Sequence, residues 1–165
     1  MGLLRALDWA DCEDKMRVLL QRHYGSITVT PGWLPQRLQQ ALSSYFAGEY
    51  SSLASVEWRT AGTSFQRLVW TTLPTIPPGQ TLSYAVLAAK LGHPTAVRAV
   101  GRANGANPIS IVVPCHRVIG TDGSLIGYGG GIGRKRWLLD HEAGTVRKNG
   151  AVAHSGARPA SATVV

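Results

Sequence analysis

Apolar residues recur at helical spacing in several stretches of the chain, and the residues at their ends are of the types that start and stop helices. Ser83 and Thr95 precede two of these stretches and are typical N-caps, while Gly144 lies just past the last one. Prolines 74, 77 and 78 end another. The predicted helices cover residues 34–46, 64–73, 84–91, 96–103 and 134–142.

Two shorter runs predict strands instead of helices. The stretch "GSITVT" at 25–30 is rich in β-branched residues, and the apolar run "ISIVV" at 109–113 is typical of a short buried strand ended by Pro114. Because these runs alternate with helices, the pattern predicts a mixed α/β (α+β) fold.

The distribution of charge divides the chain into the same parts. Residues 1–60 hold six Lys/Arg and six Asp/Glu, 61–144 hold eight and three, and 145–165 hold three and none. The net charge of +8 therefore lies beyond residue 60, which favours a polyanion such as nucleic acid as partner over a merely solvated basic surface. We predict a structural N-terminal domain over 1–60, a second domain over 61–144 and a disordered basic tail over 145–165.

Composition also excludes several classes of protein. The two cysteines, Cys12 and Cys115, make neither a disulfide framework nor a zinc site. The first residues turn acidic before a signal-peptide core can form, and no apolar run is long enough to cross a bilayer. The glycine-rich stretch 127–133 lacks the spacing of a dinucleotide or phosphate loop. We expect a cytoplasmic protein that uses no membrane, metal or cofactor.

The predicted helices on either side of His93-Pro94 have the helix-turn-helix pattern. On the second one, Val97 and Val100 share an apolar face while Arg98 and Arg102 share a basic one. The outward face is also predicted to carry Ala99, Gly101 and Ala103, small enough for close approach to another surface. An ordinary helical hairpin with a solvated arginine pair is the alternative.

The stretch "IVVPCHRVIG" at 111–120 places a thiol beside an imidazole. Adjacent side chains do not face each other on a regular element, so His116 can act on Cys115 only through a kinked backbone or a bridging water. A nearby base is the usual means of exposing a thiolate, whereas a lone cysteine is more often an inert core residue. Glu142, in the last helix, can pair with His116, be exposed, or pair with residues 134–136.

The segment "NPISIVVPCHRVIG", with "SFQRLVW", "TLSYAVLA", "RAVGRANGANP" and "GYGGGIGRKRWLLDHE", resembles the O6-alkylguanine-DNA alkyltransferases, also called methylated-DNA-protein-cysteine methyltransferases. The resemblance covers about residues 61–142. It implies a small N-terminal ribonuclease H-like α/β domain and a C-terminal winged-helix-like helix-turn-helix domain. It also implies suicidal, stoichiometric transfer of an alkyl group from flipped O6-alkylguanine in double-stranded DNA, without S-adenosylmethionine.

The resemblance assigns a role to each matching position. Cys115 would take the alkyl group, and His116, through a water, would deprotonate it together with Glu142. Asn107 would brace the turn that carries the cysteine. Tyr84 would help protonate the departing guanine and press on a DNA phosphate.

Further roles concern DNA and the pocket for the flipped base. Arg98 would fill the space that the base leaves. The helix would enter the minor groove, with Ala99, Gly101, Arg102, Ala103 and Tyr84 at the DNA surface. The pocket would be formed by Pro114, the main chain around Val118, Tyr128 and Gly129. Because Arg102, Asn104 and Gly129 lie where the family varies, the range of alkyl groups stays open.

Three other classes compete with this interpretation. A cysteine hydrolase built on Cys115, His116 and Glu142 would show turnover. A helix-turn-helix regulator would be indifferent to Cys115, and the alkyltransferase-like damage sensors lack the cysteine altogether. We expect a monomer in solution, with cooperative binding along DNA left open.

Overall fold

The computed structural model describes residues 3–30 and 32–145. The fold is mixed and helix-rich, with one small parallel sheet of two strands among the described residues. The predicted tail beyond Thr145 lies outside the described residues. The helices are α1 Glu13–Tyr24, α2 Gln36–Phe46, α3 Ser64–Thr72, α4 Tyr84–Lys90, α5 Val97–Gly105 and α6 Ile132–Glu142, and the strands are β1 Leu82–Ser83 and β2 Val118–Ile119.

The N-terminal part is more helical than the sequence pattern predicted. Helix α1, which buries Met16, Leu19 and Leu20, was not predicted. The prediction of a strand at 25–30 is wrong: α1 ends at Tyr24, Gly25 caps it with a φ of +73°, and the residues that follow have no partner strand. Up to residue 60, the β structure of the described residues consists only of isolated bridges, such as that between Leu4 and Trp58. The sheet expected for an α/β domain is therefore not found in this part of the described chain.

The predicted helices of the second part are confirmed with small shifts at their ends. Helix α3 begins with a capping box between Thr63 and Gln66, and the Ser83 hydroxyl accepts the amide of Val86 (3.1 Å) at the start of α4. Thr95 is not the N-cap of α5: the helix begins after Ala96, without a side-chain cap.

One hydrophobic core runs through both parts of the chain. Trp70 of α3 is fully buried, and its indole N–H donates to the carbonyl of Ala103 (2.8 Å), which locks α3 against α5. Truncation of such a residue costs about 3–5 kcal/mol. No helix in the described part of the chain is long and apolar enough to span a membrane. The same core includes Leu4, Leu7, Leu42, Tyr45, Leu87, Val100, Ile109, Val113 and Leu138.

Candidate active site

The turn that precedes Cys115 is built around one buried asparagine. The Asn107 amide donates to the carbonyls of Ile109 (3.2 Å) and Val113 (2.8 Å), and its oxygen accepts the amide of Ile109 (3.0 Å). These bonds fold residues 109–113 into a turn, so the prediction of a buried strand there is wrong. Ile111 has a φ of +70°, an unusual conformation for a β-branched residue. Asn107 therefore occupies the bracing position that the resemblance implied.

Cys115 begins a single 3-10 turn, Cys115–Arg117, at the end of this loop. Its carbonyl accepts the side-chain amide of Asn104 (3.2 Å) and the main-chain amide of Val118. The thiol is buried, and burial raises its pKa, although Asn107 and the charge of Lys135 act in the opposite direction. The resting thiol is consequently protonated at neutral pH, and its reaction requires a base.

His116 is completely buried and holds a defined tautomer. Its Nε2 lies 2.9 Å from Oε1 of Glu142. Because that carboxylate has no proton to give, Nε2–H is the donor, and burial lowers the pKa of His116, which keeps the ring neutral. Nδ1 therefore carries the lone pair, and among the described residues it has no hydrogen-bond partner. A buried basic nitrogen on the residue that follows the cysteine is thus free to accept a proton.

Glu142 is the centre of a buried polar cluster. Arg117 donates to both carboxylate oxygens (2.8 and 2.9 Å), Tyr45 donates to Oε1 (2.7 Å), and the amide of Gly79 donates to Oε2 (3.3 Å). Burial alone would raise the pKa of this carboxyl, but the bonds from His116 and Arg117 outweigh it and hold the pKa well below its usual range. The alternatives of an exposed Glu142 or a pair with residues 134–136 are wrong.

A buried lysine supports the chain on the other side of the cysteine. Lys135 of α6 donates to the carbonyls of Val118 (2.5 Å) and Ile126 (2.6 Å), and its ammonium lies 5.7 Å from the ring centre of Tyr84. Burial lowers its pKa to about 8. Both main-chain polar groups of Val118, which the resemblance assigned to the base edge, are paired inside the protein in this structure.

Two tyrosines and a glycine loop lie beside the thiol. The hydroxyl of Tyr84 donates to the carbonyl of Ile126 (3.0 Å), and the hydroxyl of Tyr128 accepts the indole N–H of Trp9 (3.2 Å). The ring of Tyr128 meets that of His116 edge-on at 6.5 Å. Buried Pro114 and exposed Gly129 complete the set of residues predicted for the pocket.

The outer face of α5 matches the prediction except at one position. Arg98 and Arg102 are exposed, and Ala99 and Gly101 are half-buried. Ala103 is buried, which corrects its assignment to the outward face: it lies three residues after Val100, on the same side of the helix. A side chain at Gly101 would reach the ring of Tyr84, since its Cβ would lie 3.9 Å from ring atoms.

Sequence reasoning missed several residues of this region. Arg117 and Lys135 are charged residues that lie in the core, where the sequence gives them no apolar pattern. Tyr45 and Trp9 reach the site from the N-terminal part, across more than 90 positions of sequence. The predicted amphipathic pattern of α2 could have indicated that Tyr45 is buried, but not its partner.

The described residues hold no group of three or more His, Cys, Asp or Glu side chains that could bind a metal ion. The site combines a buried thiol, a neutral imidazole with a free lone pair, and a carboxylate that fixes its tautomer. Such a set can deprotonate the thiol for nucleophilic attack.

Comparison with known proteins gives consistent matches. The family model "6-O-methylguanine DNA methyltransferase, DNA binding domain" matches residues 64–144. A Salmonella typhimurium protein named methylated-DNA--protein-cysteine methyltransferase is 52% identical over 144 residues, which cover 84% of this chain and 82% of that protein.

Solved structures show the same likeness. The OGT of Mycobacterium tuberculosis in complex with DNA is 53% identical, with a TM-score of 0.61 over 66% of each chain. The O6-methylguanine-DNA methyltransferase of Pyrococcus kodakaraensis is 29% identical, with a TM-score of 0.66 over 80% of this chain and 77% of that one.

Proposed function

The chain belongs to the methylated-DNA–protein-cysteine methyltransferase family, and from this premise we propose that Cys115 accepts the alkyl group of O6-alkylguanine in double-stranded DNA. The observation that carries the proposal is the buried thiol followed directly by His116, whose Nε2–H is tied to Glu142 and whose Nδ1 lacks a partner in the described chain. The protein is then a single-use DNA repair protein.

The proton of the thiol passes through a bridging water to Nδ1 of His116. Glu142 stabilises the imidazolium that forms, in the way a carboxylate supports a histidine base in other nucleophilic sites. Because burial raises the pKa of the Cys115 thiol, the anion exists only when this relay operates.

The transfer itself is a displacement at the alkyl carbon. A bond forms between Sγ of Cys115 and that carbon while the bond from carbon to O6 breaks, and its electron pair goes to the guanine. Tyr84 provides a proton to the base, and the proton that the thiol gave to His116 returns through water to the Tyr84 oxygen, so that the imidazole and the phenol are both neutral again. The thioether product has no route back to a thiolate, so each molecule reacts once.

Recognition of DNA falls to α5. An alkyl carbon on O6 cannot be reached inside a duplex, so the nucleotide must be flipped out, and an alkylated base costs less to extrude because it pairs poorly. Arg98, exposed on α5, fills the vacated space, while Ala99 and Gly101 let the helix approach the minor groove and Arg102 contacts the backbone.

We place the boundary between the supporting part and the DNA-binding part near residue 60, where the net positive charge begins. The shared core means that the two parts fold as one body. The protein acts in the cytoplasm as a monomer.

The proposal is tested by the intact mass of the protein after incubation with a duplex that contains one O6-methylguanine. One added methyl group per molecule is expected, without added cofactor, on the peptide that contains Cys115. Cys12→Ser should react normally and Cys115→Ser should not. Full transfer by Cys115→Ser would overturn the proposal, and lesion binding without modification would favour a regulator or sensor.

A further inference from the structure

A lysine from the N-terminal part of the chain reaches the loop of the candidate pocket. Lys15 lies on α1, and its ammonium is 3.8 Å from Oδ2 of Asp8. Asp8 is buried, and its other oxygen accepts the hydroxyl of Ser110 (3.0 Å) and the amide of Trp9 (2.9 Å). The lysine side chain keeps 39% of its surface exposed, so its ammonium lies between solvent and this fixed carboxylate.

The ammonium occupies the volume that a side chain at Gly129 would fill. A Cβ on Gly129 would lie 2.0 Å from Nζ of Lys15 and 3.3 Å from Cε. Gly129 follows Tyr128, whose ring meets His116. Burial and the Asp8 carboxylate raise the pKa of the Cys115 thiol, while the charge of Lys15 acts to lower it. The cation therefore lies within electrostatic reach of the nucleophile, in a loop position that has no side chain of its own.

We propose that Lys15 is a substrate-contacting residue, whose ammonium takes the place of a side chain at Gly129 and donates to the O6 edge of the flipped base. The proposal rests on the alkyl transfer proposed above. As the bond from O6 to the alkyl carbon breaks, its electron pair increases the negative charge on the guanine. A donor placed at that edge stabilises the transition state more than the bound substrate, and so accelerates transfer.

The ion pair with Asp8 gives the ammonium of Lys15 a defined position. A free lysine side chain would sample many positions and lose much rotamer freedom on contacting a base. The buried carboxylate, fixed by Ser110 and Trp9, holds the ammonium beside Gly129 before the base arrives. Trp9 also donates to Tyr128, so the same N-terminal segment positions the ring and the cation.

The test measures single-turnover methyl transfer at saturating protein, with a duplex that contains one O6-methylguanine. Lys15→Ala should slow the saturated rate about tenfold or more, because one donor aimed at developing charge is worth at least that factor. Lys15→Arg should retain most of the rate. Arg17→Ala removes a cation from the same helix, where Arg17 pairs with the exposed Glu13, and should leave the rate unchanged.

Gly129→Ala tests the placement without removing the charge. The backbone at Gly129 is not in the left-handed region, so the added methyl group mainly displaces the ammonium. This variant should slow transfer about as much as Lys15→Ala, and the double variant should be no slower than either single variant, since all three lose the same contact. Affinity for undamaged duplex should change no more in Lys15→Ala than in Arg17→Ala.

The outcomes separate this proposal from the function on which it rests. A normal saturated rate in Lys15→Ala, or single effects that multiply in the double variant, would overturn the role of Lys15. A loss confined to duplex affinity would make Lys15 a phosphate contact and also overturn it. Failure of the unmodified protein to take up a methyl group would instead refute the proposed function.

Discussion

Replacement of Glu142 by glutamine should strongly destabilise the protein. The carboxylate receives hydrogen bonds from Tyr45, His116 and the amide of Gly79, and two from Arg117. A glutamine has one acceptor oxygen, and its NH₂ group would face donors. The guanidinium of Arg117, which is also buried, would lose its counter-charge. Breaking one partner of a buried pair costs about 3–5 kcal/mol.

Urea unfolding followed by tryptophan fluorescence measures this loss, and the chain has five tryptophans as probes. With a slope of about 2 kcal/mol per molar urea, the midpoint should fall by about 2 M. Asp140→Asn, an exposed carboxylate on the same helix, is the matched control and should change the free energy of unfolding by less than about 0.5 kcal/mol. A similar midpoint for Glu142→Gln and Asp140→Asn would refute this account of the cluster.

The pH dependence provides an independent check of the same charge. Since the pKa of Glu142 is lower in the folded than in the unfolded protein, its contribution is complete above the ordinary carboxyl range, near pH 4.3. It is lost as the pH falls from there towards the folded pKa. Wild-type stability should therefore fall more steeply below about pH 4 than that of Glu142→Gln. Equal acid slopes would contradict the lowered pKa.

Three further predictions concern other residues of the site. Asn107→Ala leaves the amide of Ile109 unpaired and removes one of the two hydrogen bonds that each of the carbonyls of Ile109 and Val113 accepts. The unfolding free energy should fall by about 1–3 kcal/mol in urea titrations and transfer should slow; unchanged values would contradict the bracing role. Lys135→Met removes a donor to two carbonyls and should lower the melting temperature. The pKa of Lys135 is about 8 in the folded protein, so between that pH and about 10.4 the unfolded chain binds more protons than the folded one. The stability of the wild type should therefore increase relative to that of the variant as the pH rises through this window. An opposite trend would refute the lowered pKa. Arg98→Ala should slow transfer from duplex DNA but leave transfer from free O6-benzylguanine unchanged, and equal loss on both would exclude a role in base flipping.

Local pattern predicted the helices that have clear periodicity and caps, and the adjacency of Cys115 and His116 is a fact of sequence. Prediction from local pattern failed where a side chain distant in sequence determines the conformation. Residues 109–113 have the composition of a strand, yet the side chain of Asn107 donates to the carbonyls of Ile109 and Val113 and holds the segment in a turn. Ala103 was placed outward on its small size, although its spacing from Val100 puts it on the buried face.

The buried charges could not be predicted from sequence for a related reason. A lysine or arginine in the core is rare, and its partners come from other elements. Arg117 meets Glu142 of α6, and Lys135 meets carbonyls near residues 118 and 126. Lys15 lies in a helix that was not predicted at all, so its approach to Gly129 could only be seen in three dimensions.

Leu7 is hydrogen-bonded to the turn before the cysteine, and this long-range contact determines when the site can form during synthesis. The amide of Leu7 donates to the carbonyl of Pro108, and its carbonyl accepts the amide of Ser110. The hydrogen-bond partner of Tyr45, Glu142, likewise lies 97 positions later in the sequence. Contacts so distant in sequence form late and slowly. A nascent chain on the ribosome therefore has no assembled thiol centre until α6 has emerged. Since the thiol can react only once, this order of assembly keeps it from being alkylated through the relay before synthesis of the site is complete.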